Sequence, residues 1–206
     1  MYHGGELDAF SDIADAIENH VHDGHIVALE GFSHLIPFAA GHEIIRQGRR
    51  DLTGVRMTPD IIYDQLIGAG CIRKLIFSWG GNPGVGSLHR MRDAVENNWP
   101  HALELKEHSH AGIAERWRAG AASLPFGTLR GYIGTSLPNQ TNTLGTVHCP
   151  FTGEELTAVP ALNPDVGIIH AQQADHEGNV HLWASPVCKK SASSRAGSPL
   201  SPLKKW

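Results

Sequence analysis

Only three of the 206 residues are cysteine, at positions 71, 149 and 188, and none are spaced as Cys-x-x-Cys. That argues against a disulfide scaffold and against a thiolate zinc site. An excess of one charge is also missing. The 17 basic and 21 acidic side chains leave a formal charge of -4. With a pI near 6.4, there is no general electrostatic reason to bind nucleic acid or an anionic membrane. No apolar run approaches the roughly 20 residues of a membrane-spanning helix. The start, Met1-Tyr2-His3-Gly4-Gly5-Glu6, lacks the basic and then apolar order of a secretory signal. The expectation is a cytoplasmic, reducing, enzyme-like chain long enough to bury a core.

Lysine is scarce and unevenly placed. Four of the six lysines fall in the last 20 positions, with Arg195, five serines, two prolines and no acid. Residues 1–186 therefore hold 12 basic and 21 acidic groups. The division expected is a folded region over 1–186 and a basic Ser/Lys-rich tail over 187–206. The tail has too little apolar content to fold alone.

Apolar periodicity gives the organisation. Phe10, Ile13, Ala14, Ile17 and Val21 recur at helical spacing, with Ser11 placed to cap and Asp12 and Asp15 in the first turn. Asp23-Gly24 breaks that helix before the strand His25-Ile26-Val27-Ala28-Leu29. Pro37 suits the first turn of the next helix, with Ile44 and Ile45 facing inward and Gly48 ending it. Strands over 52–57, 72–78 and 103–107 alternate with helices over 60–67, from 86 to 98, and over 111–122, the last opened by Ser109 or His110. After Leu124-Pro125-Phe126 the pattern reads as irregular, until a strand over 165–170 and a hairpin around Asp175-His176-Glu177-Gly178. Alternating strands and helices predict an open α/β fold, a mostly parallel sheet with helices on both faces. Its ligand site is expected outside the carboxyl ends of the strands.

Several residues at those ends could carry chemistry. Gly80-Gly81-Asn82-Pro83-Gly84-Val85-Gly86 follows a strand and precedes a helix, where backbone amides can cradle an anion or acyl group. It lacks the Walker lysine and the third glycine of the dinucleotide fingerprint, so a plain turn is the alternative. Glu30 closes a buried strand, where a carboxylate can have a raised pKa and act as a base. Glu107 ends another strand, followed by His108, Ser109 and His110. Asn82, Ser109, Gln172 and Gln173 are suitable donors to a carbonyl or carboxylate. Of the fourteen histidines, the pair 108 and 110 would share one face of a strand, but no third ligand with metal spacing accompanies it, and no metal site is expected. No Gly-x-Ser-x-Gly is present, and neither Cys71 nor Cys149 has a local context that would lower its pKa. A complete nucleophile constellation is therefore not apparent.

Specific strings go further than periodicity. Asp23-Gly24-His25-Ile26-Val27-Ala28-Leu29-Glu30-Gly31-Phe32 resembles the first-subunit signature of the family I coenzyme A transferases. So do Glu43-Ile44-Ile45-Arg46-Gln47-Gly48 with Asp51-Leu52-Thr53-Gly54, and the run Asp165 to Ala174 followed by Val180, Leu182 and Trp183, which are similar to the glutaconate-type α subunit. The resemblance implies an α/β subunit that pairs with a β subunit, as αβ or α2β2, to move coenzyme A between an acyl-CoA and a carboxylic acid. It implies that the catalytic glutamate, which becomes a glutamyl-CoA thioester, belongs to the β subunit. The CoA thioester is then substrate and no cofactor is permanently bound. This chain would supply the facing wall: Gly31, Phe32 and Ser33 in one loop, Gly80, Gly81 and Asn82 in the second, with Ser109, His110 and Gln172 beside them. Glu30 stands where the family has the first glycine of Gly-Gly-Phe, and Pro37 comes at a shortened spacing. That departure keeps open a hydrolase or ring-cleaving reaction using Glu30 or Glu107. A non-catalytic binding subunit is the third reading.

The tail departs from the family altogether. Val187-Cys188-Lys189-Lys190-Ser191 and Leu200 to Trp206 can each be encoded so that one shared shift of frame reads Val-Gln-Lys-Glu and Val-Thr-Val-Glu-Glu. Both strings are expected in the family at those places. The expectation is a frameshift between Trp183 and Val187 that truncates the subunit fold.

Overall fold

Asp12, not Ser11, starts the first helix. In the computed structural model, which describes residues 10–31, 35–81, 86–136 and 143–182, helix α1 spans Ile13–His20 with Asp12 as its N-cap. The Asp12 carboxylate accepts from the Ala14 amide at 2.9 Å, satisfying a donor that has no partner inside the helix. Strand β1 (Ile26–Glu30) follows, then α2 (Phe38–Arg46), with Pro37 at the cap position rather than within the first turn. Ile44 is fully buried, whereas Ile45 is only partly so. Strand β2 is Leu52–Val55. Helix α3, Ile61–Gly68, is capped by the Asp60 side chain. Strand β3 (Ile72–Phe77), helix α4 (His89–Glu96), strand β4 (Glu104–Glu107) and helix α5 (His110–Ala121) complete the alternation. Ser109 caps α5 by accepting from the Gly112 amide at 3.0 Å.

The stretch after Leu124, expected to be irregular, instead holds three short strands: β5 (Phe126–Leu129), β6 (Gly145–His148) and β7 (Glu155–Pro160). They form an antiparallel sheet in the order β5-β7-β6. Its outer strands β5 and β6 are mostly exposed, so they carry no apolar run that would announce a strand. Val159 and Pro160 lie at the end of β7. Strand β8 (Val166–Ile169) then returns to the main sheet, and β9 (Gln173–Ala174) pairs with β10 (Val180–His181) as the expected hairpin.

The main sheet has five parallel strands in the order β4-β3-β2-β1-β8. Side chains of a strand alternate between faces, and β1 shows both destinations. Val27 and Leu29 join Ile17, Ile44, Ile62 and Leu66 in the cluster under α1 to α4. Ala28 joins Ile113 and Trp117 of α5 on the other side. Each large side chain buried this way contributes roughly 1.5–3 kcal/mol, so helices on both faces hold the sheet. Among the described residues, no helix is long and apolar enough to cross a membrane.

Candidate active site

Because all five strands run the same way, their carboxyl ends share one edge. In order across it come Gln172 after β8, Glu30 ending β1 with Gly31 after it, Arg56 after β2, Ser78 to Gly81 after β3, and Glu107 ending β4 with His108 to His110 after it. The chain leaves β1 toward β2 and returns to its other side as β8, so the order reverses at β1. Ligands of open α/β sheets bind at such an edge.

The centre of this edge is a buried charged cluster. Glu30 is 4% exposed, Arg56 2% and Asp60 5%. Arg56 Nη2 pairs with the Asp60 carboxylate at 2.6 Å and donates to the Gly31 carbonyl. Its guanidinium lies 5.7 Å from the centre of the Tyr63 ring. Burial pushes the Asp60 carboxyl up, while Arg56 and the Ile62 amide pull it back. Burial also holds the Tyr63 hydroxyl above its ordinary range, with Glu30 adding to the rise against the opposing pull of Arg56. Tyr63 in turn donates to the Val55 carbonyl at 2.7 Å and accepts from the Leu29 amide at 3.0 Å, tying β1 to β2 just before their ends. Gly31 has no room for a side chain, since a Cβ there would lie 1.8 Å from the Leu35 carbonyl oxygen.

A second cluster joins the loops after β2, β3 and β4. The Ser78 hydroxyl donates to the Met57 carbonyl at 2.6 Å. That hydroxyl has one proton, so its 3.1 Å contact with His110 Nδ1 requires the imidazole to donate. Ser78 is thus a tether rather than a nucleophile activated by His110. Tyr132 accepts the Ser109 amide at 2.8 Å, fixing the start of α5. His108 is buried and its Nε2 faces Arg116 Nη1 at 2.8 Å. Burial, then Arg116 and Lys106, push its pKa down to about 4. Burial likewise brings Arg116 down to about 10.

The edge brings together most of the residues singled out from sequence. Gly80 is exposed and Gly81 buried; a Cβ on Gly81 would meet the Trp79 ring at 2.3 Å. Gln172 is partly buried, three residues past the end of β8. Phe32, Ser33 and Asn82 lie outside the described residues. Of the two acids considered, Glu30 is desolvated while Glu107 is exposed on the edge strand. His108 and His110 do not share a strand face: one is buried after β4, the other begins α5. Among the described residues no group of three His, Cys, Asp or Glu could hold a metal ion. Cys149 corrects a reading made from sequence. The Thr152 hydroxyl and the amides of Phe151 and Thr152 lower its pKa, though it follows β6 in the small sheet. Arg56, Ser78 and Trp79 were not foreseen. An arginine ending an apolar strand, four residues before an aspartate, was the available signal for the first.

Comparison with known proteins bears on this edge. The family model described as coenzyme A transferase matches residues 10–189. The chain belongs to the coenzyme A transferase family. It is 62% identical over 180 residues to the α subunit of 3-oxoadipate CoA-transferase from Pseudomonas knackmussii, covering 87% of this chain and 64% of that protein. It is 35% identical over 190 residues to the α subunit of glutaconate CoA-transferase from Acidaminococcus fermentans, covering 83% of this chain and 58% of the other. The crystal structure of the glutaconate enzyme superposes with a TM-score of 0.83 at 31% identity, over 92% of this chain and 64% of that one. The decarboxylase AibA/AibB superposes with a TM-score of 0.82 at 28% identity, over 91% and 71%. The chain thus spans about three fifths of the two transferase subunits it resembles.

Proposed function

We propose that this chain is the α-type subunit of a heteromeric coenzyme A transferase, active when paired with a β-type subunit as αβ or α2β2. The reaction moves coenzyme A between an acyl-CoA and a carboxylic acid, with the CoA thioester as substrate and no permanently bound cofactor. The observation that carries the reading is the 62% identity to the α subunit of 3-oxoadipate CoA-transferase. That relative and the glutaconate enzyme are named for dicarboxylic acids, so a dicarboxylate is the acceptor proposed.

In the proposed reaction a glutamate carboxylate of the partner attacks the acyl-CoA carbonyl and expels CoA thiolate, leaving a mixed anhydride. The thiolate then attacks the glutamyl carbonyl, releasing the first acid and leaving a glutamyl-CoA thioester. The second acid reverses both steps. Covalent catalysis splits one hard transfer into easier ones, and each attack builds charge on a carbonyl oxygen. The Gly31, Phe32 and Ser33 loop and the Gly80, Gly81 and Asn82 loop are assigned to hold the acyl group and that oxygen. Ser109, His110 and Gln172 flank them.

The test is to co-express the full chain with the β subunit of the Pseudomonas knackmussii enzyme and assay CoA transfer to 3-oxoadipate and to glutaconate. Transfer to either acid supports the reading. A stable complex that releases only free CoA contradicts it. The burial of Glu30 favours one second reading, a hydrolase or ring-cleaving enzyme using this chain's own acid. Hydrolysis abolished by Glu30→Gln or Glu107→Gln would establish it.

A further inference from the structure

We propose that Arg56 is a positioning residue for the acyl-binding edge, holding the Gly31 carbonyl turned into the core and away from the bound acyl group. The proposal rests on the transferase reading given above and adds to it a residue outside the two loops.

Nothing in Gly31 itself fixes its peptide. Glycine has no Cβ to restrict rotation, and none can be added, because the Leu35 carbonyl oxygen occupies the place a Cβ would take. A peptide unit is planar, so its carbonyl turns with the whole unit. A carbonyl oxygen swung toward the edge would oppose the negative charge that develops on the acyl oxygen. The orientation must be imposed from outside, and the group that imposes it is Arg56. Its Nη2 donates to the Gly31 carbonyl and also pairs with Asp60.

The arginine is itself held. Asp60 caps α3, accepting from the Ile62 amide at 3.3 Å, and the Tyr63 ring lies beside the guanidinium. The start of α3 therefore anchors Asp60, Asp60 anchors Arg56, and Arg56 anchors Gly31. Stability does not account for this arrangement. A buried ion pair is often no better than apolar side chains of the same size. Arg56 Nη1 is moreover buried with no hydrogen-bond partner among the described residues, which is a further cost.

The experiment compares the full chain, in complex with the Pseudomonas knackmussii β subunit, with two variants. Arg56→Met/Asp60→Asn removes both charges and keeps a capping side chain at 60; Arg56→Lys keeps the charge but not the fork. The double variant is expected to melt within a few degrees of wild type. Its kcat should fall about 100-fold, with KM for the acyl-CoA changed less than about threefold. Arg56→Lys should lose about tenfold in kcat. A folded double variant turning over like wild type overturns the proposal; if it does not fold, an unimpaired Arg56→Lys does so. Should the wild-type complex transfer no CoA, the proposed function has failed. Amide hydrogen exchange over residues 29–36 of the chain alone then decides this proposal. Faster exchange in the Arg56 variants supports it, and unchanged exchange overturns it.

Discussion

Arg116 Nη1 lies 2.8 Å from His108 Nε2, with both side chains buried. Arginine has no acceptor, so Nε2 must accept and the imidazole must carry its proton on Nδ1. Protonating the ring would break the contact and set two cations against each other away from water. Burial and Arg116 accordingly push the His108 pKa down to about 4, from 6.5. A histidine whose folded pKa lies below its unfolded one contributes stability fully above the unfolded value. That contribution is lost as pH falls from 6.5 toward 4, because the unfolded chain binds the proton first.

The chain should therefore lose about 2 kcal/mol of folding stability between pH 7 and pH 5 from this one group. Denaturant unfolding at the two pH values checks it. His108→Gln offers Arg116 a carbonyl oxygen and cannot titrate, so its loss over the same range should be smaller by that amount. An unchanged pH dependence in the variant would remove His108 from the account.

The tautomer of His110 is a second prediction. Ser78 gives its proton to the Met57 carbonyl, so His110 Nδ1 donates to Ser78 and the neutral ring leaves an acceptor at Nε2. Long-range proton–nitrogen NMR of the histidine side chains should show this Nδ1–H form. Ser78→Ala should release the preference and cost about 1 kcal/mol through the lost tether. A neutral wild-type ring protonated at Nε2 would contradict the hydrogen-bond assignment.

Two glycines on the same edge should differ in how much alanine costs them. At Gly31 the new Cβ meets the Leu35 backbone oxygen at 1.8 Å, whereas at Gly80 it meets the end of the Met91 side chain at 3.0 Å. Backbone cannot yield as a thioether can. Gly31→Ala should destabilise by roughly 2 kcal/mol or more, and Gly80→Ala by less than about 0.5. Thermal melts of the pair give the comparison, and equal melting temperatures would count against the packing at Gly31.

We propose that the division at residue 186, a subunit domain over 1–186 and a separate tail over 187–206, reflects a change of reading frame. A DNA read through the gene and about a kilobase beyond its stop should reveal a frame encoding Val-Gln-Lys-Glu from near codon 187. A gene with no family-like frame behind that point would dispose of the idea.

What could be read from sequence follows from which faces the strands bury. Parallel strands such as β1 and β8 are covered on both sides and appear as unbroken apolar runs. Strands β5 and β6 are mostly exposed, the first interrupted by Gly127 and the second opened by Gly145, so their pairing with β7 was hidden. At the edge, Glu30, Gly31 and Gly80 stood out because they end or follow apolar runs. Arg56 and Ser78 did not, since their meaning depends on Gly31 and His110, 25 and 32 residues away. His108 and His110 misled because β4 ends at Glu107, breaking the alternation that would have placed them together.

The central claim is that this chain shapes the acyl site while its partner carries the covalent intermediate. The direct measurement is peptide mass mapping of the complex with the β subunit after incubation with an acyl-CoA and borohydride trapping of the thioester. The modification is expected on one glutamate of the partner and on no residue of this chain. A modified Glu30 or Glu107, or turnover with neither subunit labelled, would contradict it.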